Sequence, residues 1–480
     1  MVRFLMNNEP VEIQVRDPNM TVLAFLRERM KKTGTKEGCA AGDCGACTVV
    51  VGSLSNDNQD ISYHTVNSCI ALMSALHGKQ LITVEDLTRG NKLHPVQSAL
   101  VEHHGSQCGF CTPGFVMSAF SLYHSTTKPR REDVVNALSG NLCRCTGYRP
   151  IIDATLQACE HPKTDQFDDN KTSTIRALIA LNEERENAVE PCLHMPENRK
   201  ALRDFIQCYP DAPLVAGSTD LALEITQQHR RFSRLISVAQ VRELKRVERT
   251  TKLLTLGAAL PITKAMGEIT RDYPTLRELF TRFASLPVRN QATLGGNVAN
   301  ASPIGDAPPL LLALDANLRL DDGDTVRSVR ARDFFTGYRA TLLKKNEWID
   351  AIELPLPRSN QRLAAYKVSK RMEDDISAVC AVFNAIIENH TVIELKAGFG
   401  GVAATPAICQ QLESSIAGCD WRDKATLEAG KAVLENAFTP IDDVRASANY
   451  RKQLVVNLWH RFWLEHQCEE KITTRVVQHA

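Results

Sequence analysis

The stretch Cys39-Ala40-Ala41-Gly42-Asp43-Cys44-Gly45-Ala46-Cys47 places three thiols at the spacing C-x4-C-x2-C, with Gly38, Gly42 and Gly45 beside and between them. Such a loop can wrap its backbone closely around a bound group and turn N–H groups toward negatively charged sulfur. The spacing is that of plant-type [2Fe–2S] sites, which take one further cysteine downstream. Cys69, in Val66-Asn67-Ser68-Cys69-Ile70, is the natural fourth ligand. A tetrathiolate zinc site is the nearest competitor. Zinc ribbons, however, pair C-x2-C with a second C-x2-C or with histidines, and a C-x4-C opening is unusual among them. Disulfides are the other competitor, but the N-terminal sequence has no long apolar stretch and no small-residue cleavage site to mark secretion.

A second constellation lies downstream. Gln107-Cys108-Gly109-Phe110-Cys111-Thr112-Pro113-Gly114 runs into an apolar helical stretch over 115–123. Cys143-Arg144-Cys145-Thr146-Gly147-Tyr148-Arg149-Pro150 runs into a helix over 151–159. Each cysteine pair thus precedes a helix with proline in its first turn, where the missing N–H costs nothing. Two helix N-termini offer free N–H groups and positive dipole ends to an anionic tetrathiolate cluster. Here C-x2-C with C-x-C has no feature that excludes zinc, so iron–sulfur and zinc both stay open on spacing alone.

The 480 residues exceed one compact core, so three or four domains are expected. Residues 1–85 read as a hairpin (2–5 and 11–15), a helix over 22–31, a strand at 48–51 and a closing strand at 82–84. Residues 86–160 read as all-helical, with further helices from 94 and over 131–138. Residues 161–190 are polar, turn-rich and then charged, and read as a linker, helical near 174–180. Residues 191–360 look α/β and residues 361–480 α+β. The closing helix over 450–465 carries Leu454, Leu458, Phe462 and Trp463 as its expected buried stripe. Gly398-Phe399-Gly400-Gly401-Val402-Ala403 matches a loose G-x-G-x-x-A pattern but is discounted as a dinucleotide site, because the stretch after it reads as helix where a parallel strand is wanted.

The net charge of +1 argues against nucleic-acid binding as the main task, and no apolar run reaches the length of a membrane span. Fifteen cysteines without a secretion signal read as metal ligands plus reduced thiols in a cytoplasmic protein. The thirteen histidines form no ligand spacing. Two turns, Gly217-Ser218-Thr219-Asp220 and Thr293-Leu294-Gly295-Gly296-Asn297, can offer backbone N–H groups to a pyrophosphate, though ordinary glycine turns look the same.

With both cysteine sets and these turns together, the chain resembles the molybdenum hydroxylase family. More narrowly, it resembles the small iron–sulfur/flavin subunits of bacterial xanthine dehydrogenases. The motifs that carry it are Glu37-Gly38-Cys39 through Cys47-Thr48, Gln107 through Gly114, and Asn141-Leu142-Cys143 through Pro150. The resemblance implies an α+β multidomain protein. Its parts are a ferredoxin-like β-grasp [2Fe–2S] domain, an all-α four-helix [2Fe–2S] domain, a vanillyl-alcohol-oxidase-type α/β FAD domain and a C-terminal α+β domain. It assigns Cys39, Cys44, Cys47 and Cys69 to one cluster and Cys108, Cys111, Cys143 and Cys145 to the other. It places FAD against Leu214-Val215-Ala216-Gly217-Ser218-Thr219-Asp220-Leu221, against Phe283 and Ala284, and against Thr293-Leu294-Gly295-Gly296-Asn297. It adds Asp306, Ile349 and Lys367, and puts nicotinamide access at the charged loop 369–376.

What the resemblance implies for function is electron transfer from a molybdenum centre through the helical cluster, the ferredoxin-like cluster and FAD to NAD+. The family's molybdopterin domain does not follow within these residues, so a separate large subunit is expected, as a heterotetramer of two small and two large chains. Gln107 matches a position facing the pterin. No side chain stands out as an acid–base catalyst, and Glu373, Asp374 and Asp375 read first as solvated surface. Cys159, Cys192, Cys208, Cys380, Cys409, Cys419 and Cys468 read as reduced structural thiols. Other readings are the equivalent subunit of an aldehyde or N-heterocycle dehydrogenase, a stand-alone NADH diaphorase, and a zinc-binding structural protein.

Overall fold

The alternation at the N-terminus folds as the expected hairpin, with its second strand two residues earlier than the expected 11–15. Strands β1 (Val2–Met6) and β2 (Glu9–Ile13) pair antiparallel with Val2 opposite Ile13, and Asn7 in the turn takes φ 54°. The computed structural model describes residues 1–160, 165–183, 192–467, 472 and 474. These divide into two compact units. The first comprises 1–241 with 261–263 and 284–292, and the second comprises 242–260, 264–283 and 293–480.

In the first unit, Thr21 caps a short helix, α1 (Val22–Ala24), that widens into a π-turn over Phe25–Arg29. The helix expected to reach residue 31 ends sooner. Lys31 turns left-handed at φ 56°, and the Lys32 N–H closes on the Leu26 carbonyl at 2.9 Å. Strands β3 (Thr48–Leu54), β4 (Ile61–Asn67) and β5 (Gln80–Ile82) complete a sheet of order β2-β1-β5-β3-β4, in which only β1 and β5 run parallel. The closing strand thus ends at Ile82, because Thr83 caps a 3-10 turn over Val84–Asp86. Its core holds Val2, Phe4, Phe25, Val49 and Leu81.

Four helices follow: α2 (Pro95–Glu102), α3 (Thr112–Ser125), α4 (Arg131–Leu138) and α5 (Arg149–Ala158). Where a linker is expected, the described residues form α6 (Gln166–Asp169) and α7 (Lys171–Glu183). The reason is packing: Leu178 is fully buried with Leu5 and Ile61. The stretch 184–190 lies outside the described residues. Next come β6 (Leu193–His194), α8 (Arg199–Cys208), β7 (Leu214–Val215), α9 (Leu221–Thr226) and β8 (Leu235–Ser237), the strands forming a small parallel sheet of order β6-β8-β7. Leu193, Val215, Ile225 and Leu235 share one core with Phe4 and Val49, which is why these residues group with the iron–sulfur folds.

The second unit holds an antiparallel five-stranded sheet built on Trp348–Pro355 and Leu253–Gly257. A three-stranded sheet, Gln361–Val368, Val379–Glu388 and Thr391–Gly400, is covered by helices Lys424–Leu434 and Ala448–Glu465. Gly398 and Gly400 belong to the last strand, and the next helix starts only at Gln410, so no helix N-terminus sits at these glycines. A Cβ at Gly398 would come 2.0 Å from the Pro309 carbonyl, so packing explains that glycine. The closing helix buries Leu458 and Phe462 as expected, but its fully buried tryptophan is Trp459, while Trp463 is half-buried. Trp459 donates to the Leu427 carbonyl at 3.1 Å and lies on Gly430, where a Cβ would meet its ring at 2.2 Å. Among the described residues no helix is long and apolar enough to cross a membrane.

One clasp in the helical part was hidden in the sequence. His94 Nδ1 accepts the Val96 N–H, so its Nε2 carries the proton and donates to Asp165 Oδ2 at 2.7 Å. His124 Nε2 reaches the same oxygen at 2.8 Å, and Asp165 Oδ1 accepts the N–H groups of Phe167 and Asp168. Burial disfavours the charge on Asp165, but His124 and His94 outweigh it and hold the carboxyl well below its usual range. Its stabilisation is therefore complete above the ordinary carboxylate value and is lost as pH falls through the depressed folded value. We predict that Asp165→Asn lowers unfolding free energy by about 1.5–3 kcal/mol at neutral pH, and that the gap from wild type narrows below about pH 4. Urea midpoints at both pH values check this; an unchanged gap would contradict it.

Candidate functional site

The loop between α1 and β3 folds its cysteines inward. Cys47 and Cys69 are buried with their sulfurs 3.2 Å apart, and Cys39 lies within side-chain reach of both Cys44 and Cys69. Cys39 Sγ accepts the N–H groups of Ala41 and Asp43 at 3.3 Å and of Cys44 at 3.4 Å. The Cys44 and Cys69 thiols together with these N–H groups hold the Cys39 thiol far below its ordinary value. Contact with Cys39, and then burial, pushes Cys44 up. Gly42 at φ 85° and Gly45 at φ 70° make the turns, and the Asn67 amide pins the Gly42 carbonyl at 2.7 Å.

The second set forms at the starts of α3 and α5, as the prolines indicate. Cys145 and Cys108 are exposed, with sulfurs 3.7 Å apart, and Cys111 contacts buried Cys143. Burial, aided by Cys143, pushes Cys111 up to about 12. For Cys143, burial is opposed and outweighed by the Thr146 hydroxyl and by the N–H groups of Cys145 and Thr146, which bring it down to about 7. Gln107 is exposed and donates to the Cys145 carbonyl at 3.0 Å. All fourteen described cysteines are free thiols, and Cys468 lies outside the described residues. Each donor set, four thiols with N–H groups aimed at sulfur, fits a [2Fe–2S] cluster.

The two loops seat directly on each other. The Leu142 N–H donates to the Cys44 carbonyl at 3.0 Å, and Asn141 donates its amide to the carbonyls of Gly45 (3.3 Å) and Gly114 (3.2 Å) while accepting from Ser118. A Cβ at Gly114 would lie 2.1 Å from the Gly45 carbonyl, and one at Gly45 would lie 2.3 Å from the Gly140 carbonyl.

The residues expected against FAD fall in both units. In the first, 214–221 form β7, a turn and the start of α9. Ser218 takes φ 60° and donates to the Ile70 carbonyl at 2.6 Å, while a Cβ at Gly217 would collide with the Gln291 carbonyl at 1.8 Å. Ala284, at φ 45°, leads into the helix Leu286–Gln291, where fully buried Arg289 donates to the Ala284 carbonyl and to Asn136.

In the second unit, Thr293 caps the helix Leu294–Ala299 through the Gly296 N–H at 3.1 Å, and Gly295 packs on Ala258. Asn297 Oδ1 is buried without a partner among the described residues, an open acceptor that fits a bound ligand. Asp306 Oδ2 and Lys367 Nζ form a buried pair at 2.5 Å, with Ser377 on the other carboxylate oxygen. Phe283 and Ile349 are buried, Ile349 in the strand Trp348–Pro355.

Sequence reasoning missed Arg282 and Ser377, while Cys380, read as a reduced structural thiol, is a fully buried free thiol. Arg282 donates to the Lys367 and Met372 carbonyls and to Ser369, so it braces the loop 369–376, whose Asp375 is spent on Arg371. Burial lowers the Arg282 guanidinium and raises the Cys380 thiol well above its usual value. Neither Arg282 nor Ser377 lies in a motif, so only tertiary contact reveals them.

Four family models match the chain in order. They describe a 2Fe-2S iron-sulfur cluster binding domain (4–74), a [2Fe-2S] binding domain (83–156), an FAD binding domain in molybdopterin dehydrogenase (187–357) and a CO dehydrogenase flavoprotein C-terminal domain (364–466). The xanthine dehydrogenase/oxidase of Gallus gallus is 30% identical over 96% of this chain and 40% of that protein. That of Mus musculus is 32% identical over 96% of this chain and 38% of that protein. The chain therefore spans about two-fifths of the length of these relatives. In fold, 56% of it matches a chain of a Cu,Mo-CO dehydrogenase (TM-score 0.53, 23% identity, 95% of that chain). A chain of quinoline 2-oxidoreductase from Pseudomonas putida 86 matches 57% of it (TM-score 0.53, 22% identity, 96% of that chain).

The interlocked loops give a direct prediction. Gly114→Ala forces α3 and the Gly45 backbone apart, so the purified variant holds less iron and unfolds at lower urea than wild type, by more than the about 1 kcal/mol spanned by helix propensity at such a site. Because alanine otherwise favours helix, equal or higher stability would contradict the contact.

Proposed function

Because the chain belongs to the molybdenum hydroxylase family and carries its two [2Fe–2S] domains and its FAD domain, we propose that it is the electron-transfer subunit of a xanthine dehydrogenase. In this reading it serves the oxidation of hypoxanthine and xanthine to urate at a molybdopterin centre on a separate large subunit, and delivers the electrons to NAD+ in the cytoplasm. The assembly proposed is two small and two large chains. When bound, the clusters supply one-electron relay and the flavin the two-electron exchange with a nicotinamide.

The observation that carries the reading is the pair of thiol sets joined through Leu142–Cys44. Cys39, Cys44, Cys47 and Cys69 would hold one cluster, and Cys108, Cys111, Cys143 and Cys145 the other. Exposed Cys108, Cys145 and Gln107 put the second set at the surface, which suits exchange with a partner. The turn 214–221, Phe283 and Ala284, the turn 293–297, Asp306, Ile349 and Lys367 would hold FAD. Asp306 accepts from Lys367 and from Ser377 in a buried network, and Arg282 braces the loop 369–376 through the Lys367 and Met372 carbonyls. The equivalent subunit of another molybdenum hydroxylase, as the fold likeness to CO dehydrogenase and quinoline oxidoreductase chains allows, is the second reading.

The test is an anaerobic titration followed by absorbance. NADH is expected to bleach flavin and cluster bands of the purified chain, whereas hypoxanthine bleaches them only in the complex with the large subunit. A colourless or zinc-loaded preparation overturns the redox reading. A complex reduced by an aldehyde or N-heterocycle but not by hypoxanthine overturns the purine assignment.

A further inference from the structure

The helix α9 touches the first cysteine loop at both of its ends and along its flank. At its leading turn, the Ser218 hydroxyl donates to the Ile70 carbonyl, next to Cys69. Along its flank, fully buried Ala222 packs in one apolar cluster with Cys47, Cys69, Ile70 and Leu23. At its trailing end, Thr226 Oγ1 donates to the Ala40 carbonyl at 2.7 Å. The Gln227 amide donates to the carbonyls of Cys39 at 3.1 Å and Ala40 at 3.0 Å.

The residue held this way is under strain. Ala40 takes φ 51°, a left-handed conformation that a residue with a Cβ keeps only when its surroundings enforce it. That conformation lets the following N–H groups, those of Ala41, Asp43 and Cys44, converge on Cys39 Sγ. Three N–H donors on one sulfur stabilise negative charge there, and such bonds raise the reduction potential of an iron–sulfur site.

We infer that Thr226 and Gln227 are positioning residues for the first [2Fe–2S] site: by holding the Cys39–Ala40 peptides they set its reduction potential from outside the cysteine loop. This rests on the iron–sulfur reading above and deepens it. The leading turn of the same helix is the segment proposed to hold FAD, so one six-residue helix ties the cluster loop to the flavin segment. The signal was invisible in the sequence because Thr226 and Gln227 lie far from every cysteine along the chain, in no motif.

The test is a redox titration of the full chain followed by electron paramagnetic resonance, which reports the two clusters separately. The variants are Thr226→Val, which keeps the shape and removes the hydroxyl, Gln227→Ala, and the double variant. In the double variant the midpoint of one cluster is expected to fall by up to about 59 mV, a tenfold change in a one-electron equilibrium, while the other stays put. Thr226→Ser keeps the wild-type value. Adding Ala40→Gly to the double variant restores much of the shift, because glycine adopts the same conformation without strain. An unchanged midpoint in the double variant, or equal shifts of both clusters, overturns the inference. A wild-type chain without iron overturns the reading beneath it, and that is seen before any variant is made.

Discussion

The contact on which the first unit turns is backbone against backbone. Gly45 sits between two of the first loop's cysteines, Gly114 opens α3 just behind Cys111, and Gly140 precedes the second C-x-C pair. No side chain fits between any of these and its neighbour. Asn141 fills the remaining hydrogen-bonding capacity by bridging the carbonyls of Gly45 and Gly114. The two thiol sets therefore have one relative placement, and the shortest link between them is a single hydrogen bond, Leu142 N–H to the Cys44 carbonyl. A relay of electrons depends steeply on separation, so a fixed seat between two cluster loops is worth the loss of side chains at three positions.

The same logic extends outward along the first unit. The helix Leu286–Gln291 places Asn290 on the Thr65 carbonyl of β4 and Arg289 on Asn136 of α4. One short segment thereby grips both iron–sulfur folds, and Ala284 at its head takes a left-handed turn. With α9 pressed on the ferredoxin-like loop, the first-unit elements proposed to hold flavin are anchored to the iron–sulfur folds by hydrogen bonds and not by apolar packing alone. Hydrogen bonds fix direction as well as distance, which a relay needs more than it needs extra stability.

What could be read from the sequence was local. The C-x4-C-x2-C spacing, its glycines, and proline in the first turns of α3 and α5 are patterns of adjacent residues, and the structure places those cysteines in two groups of four. The ends of elements were less legible. The π-turn after α1 and the 3-10 turn after β5 depend on Lys31 and on the Thr83–Asp86 cap. The helix α7 was read mostly as linker because its polar surface hides Leu178, buried only once β1 and β4 are in place. In the closing helix Leu458 and Phe462 are buried as expected, but Trp459 takes the inner place given to Trp463, since Gly430 on another helix decides which tryptophan goes inside. The histidine clasp on Asp165, the brace from Arg282 and the grip of Thr226 and Gln227 join residues far apart in sequence. No periodicity encodes such pairs, so only the fold discloses them.

The claim on which the rest depends is that two [2Fe–2S] sites sit on directly touching loops. Electron paramagnetic resonance of the fully reduced wild-type chain tests it most directly. The account predicts two distinguishable cluster signals whose lines are broadened or split by one another, and whose mutual interaction disappears when only one cluster is reduced. Two signals that ignore each other, or a single signal, would contradict it.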